Sequence, residues 1–382
     1  MANTQPCRED NQTFFEQLQI AEGLDLRDNR GKEHEVAVIL VGVVLAILSK
    51  RDGNLSSIHR HMKNHYAQLL QELQLDDYDC PVVSRSHLPI ILGKVSAKVF
   101  NQLIFANFGV KLSNKQKKWF AVDGKEMRGS IEKGKKRGEV VVQAVEQESG
   151  ATHSQTYYQG NKESEIESGR SLMKENGLLG ENITMDALHC NPTTLALIAE
   201  KGRYVVGLKE NQPELKRVVS EEIGRSKPSY QTQKSEKQSG RIETRKYEVY
   251  NIEKVAKDER WEKSKIKIAI KVERERVEVK TGKETRETSL YISNEGERVK
   301  ESCEAIRKHW QVEVNNHLRD VTLAEDKLCV KKPIVNRVMA GVRTLALAIL
   351  KLTKCCNKKA QLDNFADSFG SLILCLKSIH FL

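Results

Sequence analysis

Apolar positions along the chain change their rhythm twice. They recur at helical spacing from about residue 35 to 110, form short runs or alternate from 119 to 293, and return to helical spacing from 302 to 352. The run Val36 to Leu48 (VAVILVGVVLAIL) is wholly apolar but falls short of the ~20 residues a membrane span needs. It predicts a buried core helix from about Glu35 to Lys50, closed by Arg51-Asp52-Gly53. Asn54 to Ser57 can cap a following helix that carries Ile58, Met62, Tyr66, Leu69 and Leu70 on one face. Cys80-Pro81 breaks that pattern, and Ser84 to Val110 predicts two shorter helices. Ahead of these, the residues up to about Asp28 read as a polar leader with one amphipathic turn around Phe14, Phe15 and Leu18. An all-helical module over 1–112 follows from this pattern.

After the basic linker Lys111 to Lys118, strand signals come in series: Trp119 to Asp123, Glu139 to Glu146, and Ala151 to Tyr158, the last two joined by a turn at Ser149-Gly150. A helix from Lys162 to Leu178, opened at Asn161, leads to a fourth strand, Asn182 to Asp186. A helix from Thr193 to Lys201 leads to a fifth strand, Arg203 to Leu208. This order predicts an α/β fold with a sheet of mixed direction. The stretch Asn211 to Gly240 is polar, with a helix at Pro213 to Glu222 and then a loop rich in Ser, Lys and Gln. Alternation returns in Arg241 to Tyr250, Lys265 to Lys280 and Glu287 to Ser293. There Ile266, Ile268, Ile270 and Val272 line one face, and Lys265, Lys267 and Lys271 the other. Thr281-Gly282-Lys283 supplies a hairpin turn. A helix from Glu304 to Arg319 and a strongly apolar one from Val335 to Leu352 come next, with a mixed tail from 353 to 382.

Charge narrows the partners. Lys and Arg number 63 against 52 Asp and Glu, a net charge of +11, and such an excess favours a polyanion, nucleic acid first. The eight cysteines are scattered without zinc-ligand spacing, which predicts reduced thiols in a cytosolic protein without a membrane span. Neither a GxGxxG nor a GxxxxGKS/T motif occurs, so a dehydrogenase or P-loop kinase finds no support.

Candidate chemistry begins at AVDGKEMRGS, Ala121 to Ser130. Asp123 follows the apolar run Trp119 to Val122, and a basic, glycine-bearing turn with Lys125, Arg128 and Gly129 comes next. Asp186 ends the fourth strand in the same way. A carboxylate so placed can cap the following turn or hold a divalent metal beside a phosphate. The C-terminal ends of α/β strands are where ligands of open sheets collect. On the later helix, His309, Glu313, Asn316, His317 and Asp320 share one face. That face is either a solvated one or one turned toward Asp123 and Asp186. Three carboxylates brought together repel unless a cation joins them. Two Mg²⁺ ions ~4 Å apart would satisfy them and clamp a phosphodiester for in-line attack.

The order of pieces resembles the DDE transposases of bacterial insertion sequences, in particular the H-repeat-associated group. The matching pieces are DLRDNRGKEHE, AVDGKEMRGS, NKESEIES, ITMDALHCNP, RYVVGLKENQPEL, SGRIETRKYEV, KVERERVEVKTGK, LYISN and IRKHWQVEVNNHLRDVTLAED, with the apolar closing helix, over about residues 24 to 352. The resemblance implies an all-helical domain (1–112), an RNase H-like catalytic domain (113–352) with a β-rich insertion at about 225–298, and a C-terminal tail (353–382). By position it makes Asp123, Asp186 and Glu313 the catalytic, metal-binding triad for Mg²⁺ or Mn²⁺, with two ions. It makes Lys125, Arg128, Lys209, Asn211 and Arg241 contacts to DNA phosphates, joined by Arg307, His309 and Asn316 as neighbours on or beside the Glu313 helix. Contacts of that kind position the backbone and carry little sequence information. The implied partner is double-stranded DNA bearing the element's terminal inverted repeats, met by a homodimer at the nucleoid.

This chain departs from the family's usual HWxIEN in carrying Val314 after Glu313, and the interval from His317 to Asp320 is one residue short. A one-residue loss in a helix rotates every later residue by ~100°, so the face beyond Glu313 is expected to be altered. Three readings are therefore open: a metal-dependent transposase, a catalytically decayed DNA-binding relative acting as repressor or repurposed host protein, and an RNase H-like nuclease without joining activity.

Overall fold

The computed structural model describes residues 12–159, 162–238, 240–254, 258–353 and 355–382. The first part of the polar leader and Asn161, the expected opening of a helix, lie outside the described residues.

The N-terminal helices form where the apolar rhythm places them. α1 (Phe14–Ile20) opens on a capping box, in which Thr13 and Glu16 satisfy each other's backbone amides. α2 (Val36–Leu48) is buried at every residue. α3 (Leu55–Asn64) is capped by the Asn54 side chain. The helix read across Ile58 to Leu70 breaks at His65, after which α4 (Tyr66–Glu72) begins. α5 (Leu88–Leu92) and α6 (Ala97–Phe108) follow, the latter capped by Ser96.

Five strands and three helices come next. β1 (Trp119–Glu126), β2 (Glu139–Glu146) and β3 (Thr152–Gln159) form at the three strand signals and pair as an antiparallel meander. α7 (Lys162–Glu175), β4 (Asn182–Met185), α8 (Pro192–Ala199), β5 (Arg203–Leu208) and α9 (Pro213–Arg225) follow, with β4 parallel to β1 and β5 parallel to β4. β6 (Tyr230–Gln238), β7 (Arg241–Asn251), β8 (Ile268–Glu278) and β9 (Glu284–Ser293) extend the sheet. The complete order is β3-β2-β1-β4-β5-β9-β8-β7-β6, a nine-stranded mixed sheet. The fold is mixed α/β, as the apolar pattern predicts, with the RNase H-like core that the resemblance implies.

Side-chain alternation assigns each face its cover. Phe120 and Val122 pack with Leu172, Met173 and Ile198, under α7 and α8. Ala121 and Val145 pack with Val312 on the other face. Val312 belongs to α11 (Trp310–His317), which follows α10 (Val299–Lys308) after a break at His309. The continuous helix expected from Glu304 to Arg319 is thus two helices, and Leu318–Thr322 then widens into a π turn.

Two further expectations need correction. β1 does not end at Asp123 but runs on to Glu126, paired to β2 throughout. The Ser/Lys/Gln-rich stretch is no loop: Tyr230 to Gln238 is the edge strand β6, held by its pairing with β7. An edge strand with few apolar side chains leaves no period-2 signal. The β-rich stretch joins the five-stranded sheet directly, since β9 pairs with β5 from Val205↔Ser293 to Leu208↔Leu290. Its base is cored by Tyr247, Val249, Ile268, Ile270 and Val272 against Cys303. Toward its tip Glu243 gathers Arg274 and Arg276 across the strands, and Arg245 from its own strand, in ion pairs.

α12 (Pro333–Leu352) is the one helix among the described residues long and apolar enough to cross a membrane, and most of it is buried inside the protein. It forms a common core with α1 to α6. α13 (Lys358–Asp367) and α14 (Phe369–Ser378) add Leu362, Phe365, Leu372 and Leu376 to that core, and Phe381 beyond them joins it. The amides of Phe14 and Phe15 donate to the carbonyls of His380 and Phe381. α1 and the segment at His380-Phe381 therefore close one helical layer around α12.

Candidate active site

The parallel register of β1 and β4 runs to Val122↔Met185. Asp123 and Asp186 are the next residues on these adjacent strands, and neighbouring strands lie ~4.8 Å apart. Asp123 shares the sheet face of Ala121, the face that α11 covers. From that helix Asn316 Nδ2 donates to Asp123 Oδ2 at 3.2 Å. Glu313 lies three residues earlier, on the same side of α11, and is exposed. Asp186 Oδ1 accepts from the Leu188 amide at 3.0 Å and so caps the short turn after β4. The capping and the metal-facing uses are compatible, because Asp186 Oδ2 is not engaged by that bond.

Two contacts fix the height of α11 above the sheet. His309 Nδ1 meets Thr184 Oγ1 at 2.9 Å, and Gln147 Nε2 reaches both Thr184 Oγ1 (2.7 Å) and the Ala305 carbonyl (3.2 Å). Burial holds the His309 imidazole down to about 4, so it is neutral near pH 7.

Electrostatics joins the carboxylates. Burial first, then the negative charges of Asp186 and Glu165, and last that of Glu313, push the Asp123 carboxyl up to about 7. Burial raises Glu313 as well, opposed by the Arg274 guanidinium of β8. Among the described residues no ion pair seals Asp123, Asp186 or Glu313. Also among them, no three His, Cys, Asp or Glu side chains converge tightly enough to hold one ion as they stand. The donor set itself fits a hard divalent cation: carboxylate oxygens that repel one another, with Arg274 acting on Glu313 but making no ion pair with it.

The other sequence candidates separate by environment. Lys125 is buried and paired with Asp320 (2.7 Å), Asp326 (3.3 Å) and Glu325 (3.5 Å), so its ammonium is neutralised within the protein. Arg307 pairs with Glu236 of β6 at 3.1 Å. Asn211 Nδ2 donates to the Ala187 carbonyl at 2.6 Å and ties the loop after β5 to the loop after β4. Arg128 is exposed and its amide is held by Asp326 Oδ1. Lys209 is exposed at the end of β5. Arg241 is exposed at the tip of the insertion, where β7 leaves the β6 hairpin. It lies ten residues from the base of β7 at Asn251, ~30 Å at strand rise.

Three neighbours of the site were not singled out from the sequence. They are Glu165 on α7, the buried His189 after Asp186, and Arg274 opposite Glu313. Glu165 and His189 lie inside two of the matching pieces, NKESEIES and ITMDALHCNP. A charged residue in a polar helix turn and a lone histidine carry no spacing signal of their own.

Residues 114–349 match the family described as Transposase DDE domain. Relatives include the putative transposase YncI of Escherichia coli O157:H7, 30% identical over 242 residues, covering 60% of this chain and 61% of that protein. They also include the H repeat-associated putative transposase YhhI of Escherichia coli K12, 26% identical over 338 residues, covering 85% of this chain and 87% of the relative. The chain thus spans less than two thirds of the length of YncI. Among solved structures, the piggyBac transposase synaptic complex with hairpin DNA overlaps 96% of this chain and 81% of its own, at 10% identity and a TM-score of 0.43. A likeness that slight carries no argument.

Proposed function

Since this chain belongs to the DDE transposases, in the H-repeat-associated group, we propose that it cleaves and rejoins the DNA of an insertion sequence with Asp123, Asp186 and Glu313 as its metal-holding triad. The observation that carries this reading is the meeting of Asp123 and Asp186 just past Val122↔Met185, with Asn316 of the Glu313 helix bonded to Asp123. Burial and the carboxylates around it push the Asp123 carboxyl up to about 7. A site that makes its own acid hard to ionise is stabilised when a divalent cation arrives. Bound Mg²⁺ or Mn²⁺, two ions in all, supplies Lewis-acid stabilisation of the phosphodiester oxygens and of the attacking hydroxyl.

The chain's own residues hold the geometry. Asn316 fixes one oxygen of Asp123, and the Leu188 amide fixes one oxygen of Asp186. The bond from His309 to Thr184 anchors the start of α11, so that Glu313, one turn on, faces the sheet edge. Arg128, Lys209 and Arg241 are exposed cations that meet DNA phosphates. Asn211 acts on DNA through the loop after β4, and Asn316 through Asp123. The substrate is double-stranded DNA bearing terminal inverted repeats, taken by two copies of the protein.

The test is nicking and strand transfer of a supercoiled donor plasmid in Mg²⁺, by wild type and by Asp123→Asn. The variant is expected to keep DNA binding and lose cleavage by at least 10²-fold, in line with removal of one electrostatic anchor of the transition state. Equal cleavage by the variant would sink the triad. Salt-sensitive DNA binding without nicking by the wild type would identify a DNA-binding relative, and nicking without transfer a nuclease.

A further inference from the structure

We propose that Glu165 is a fourth carboxylate of this metal site, reaching it from α7 through the gap that Gly124 leaves in β1. The inference rests on the metal-dependent reading of the triad and adds a ligand from the opposite face of the sheet.

Asp123 and Gly124 are successive strand residues, so Asp123 faces α11 and Gly124 faces α7. Glu165 occupies the place where a side chain on Gly124 would stand. A Cβ there would lie 2.5 Å from Glu165 Oε1 and 2.9 Å from Cδ. Any other residue at 124 would drive this carboxylate away from the strand edge. Tyr158 OH donates to Glu165 Oε2 at 2.7 Å, which orients the carboxylate and leaves Oε1 toward the backbone of β1. After Asp186, Glu165 is the charge that acts most on Asp123, ahead of Glu313.

A second observation is independent of the acidic cluster. His189 is 1% exposed, and neither ring nitrogen has a hydrogen-bond partner. Its ring lies against α7, where a Cβ on Gly169 would come within 3.0 Å of Cε1. The charges acting on it are those of Asp186, Glu165 and Arg170. A buried imidazole with both nitrogens unpaired calls for an explanation. Mg²⁺ keeps several of its waters when protein carboxylates bind it. The hydration shell of an ion held between Asp186 and Glu165 would give this imidazole the partner that the protein itself does not. A purely structural Glu165, content with Tyr158 near the start of α7, would account for Gly124 but not for the unpartnered His189.

The experiment is a titration of Mn²⁺ into the full chain, read by electron paramagnetic resonance for affinity and number of ions bound. It compares wild type, Glu165→Gln, Gly124→Ala and Asp123→Asn. Loss of an oxygen ligand is expected to weaken Mn²⁺ binding at least about 10-fold in Glu165→Gln. Gly124→Ala should weaken it similarly, because the new Cβ displaces the carboxylate without removing its charge. Should Glu165→Gln fail to fold, Tyr158→Phe keeps every carboxylate and is expected to lose a few-fold in affinity. Wild-type Mn²⁺ binding by Glu165→Gln and Gly124→Ala, or by Tyr158→Phe in their stead, overturns the proposal. If Asp123→Asn loses Mn²⁺ while those variants keep it, only the Glu165 inference fails. If Asp123→Asn also binds as wild type does, the triad reading fails with it.

Discussion

Asn316 Nδ2 donates to Asp123 Oδ2 over 3.2 Å, between residues 193 positions apart in the chain. That bond is the physical link between the strand that carries the first carboxylate and the helix that carries the third. Removing the donor leaves Asp123 free to rotate without changing any metal-binding group. Asn316→Ala is therefore expected to slow Mg²⁺-dependent plasmid nicking by about 10–100-fold, the range for an outer partner of a metal ligand. Retention of the wild-type rate would mean that the bond does not position Asp123.

The pH dependence stems from Asp123. Its carboxyl is pushed up from 3.8 to about 7 in the folded protein, burial being the largest cause and the charge of Asp186 the next. A group whose folded value is raised lends stability that is full below its unfolded value and is lost as pH rises through the folded one. Each unit corresponds to about 1.4 kcal/mol. Asp123→Asn removes this effect, so it should raise the metal-free melting temperature more at pH 8 than at pH 5. Thermal unfolding followed by circular dichroism measures the difference, and equal gains at the two pH values contradict it. Wild-type Mg²⁺ affinity should rise with pH up to about 7, because the proton must leave before the metal binds.

Lys125 and Arg128 separate stability from DNA binding. Lys125 is buried among Asp320, Glu325 and Asp326. Breaking a buried ion pair from one side costs about 3–5 kcal/mol, so Lys125→Ala should show up as a loss of folded protein in urea titration. Arg128 is exposed. Arg128→Ala should leave the urea midpoint unchanged and weaken binding to all duplexes alike. The slope of log affinity against log salt should fall by about one, as for a lost phosphate contact.

Arg319 and Glu325 form a fully buried pair at 2.5 and 2.9 Å. From Arg319 a chain of hydrogen bonds runs through Thr344 of α12 and Gln155 of β3 to Asn101 of α6. The Arg319 guanidinium offsets burial and holds Glu325 down to about 2, from 4.5. A depressed carboxyl lends stability that is present above its unfolded value and is lost as pH falls through the folded one. The pair should therefore persist until the pH drops well below 4. Arg319→Ala should cost about 3–5 kcal/mol near neutral pH. It should also flatten the loss of stability in acid, because without the guanidinium the buried Glu325 is no longer held as low. Denaturation curves at several pH values read both.

Gly129 sits where a side chain would overlap the Leu328 carbonyl. Gly129→Ala should destabilise by about 1–3 kcal/mol through overpacking, visible as a lower melting temperature with unaltered Mn²⁺ binding.

The five core strands and the long helices were legible because burial wrote them into the chain. β2 is buried at every residue and β5 at nearly every one, and a strand covered on both sides must be an apolar run. β6 left no such trace, since as an edge strand with a polar sequence it is defined by its pairing with β7. The break at His309 was equally hidden. The helical spacing of Ile306 and Trp310 continues across it, while the bond from His309 to Thr184 is a contact between distant segments.

The sequence by itself determined which residues can be core, where the sheet begins, and that two aspartates end apolar runs in a basic chain. These are local properties, set by backbone periodicity and by the cost of burying charge. Tertiary structure alone decided that Lys125 would spend its charge inside the protein, that α12 would serve as the centre of the N-terminal helical layer, and that Glu165 would come to rest over Gly124. Each of these depends on two segments far apart in sequence meeting at atomic distance, and no spacing along one strand or helix encodes such a meeting.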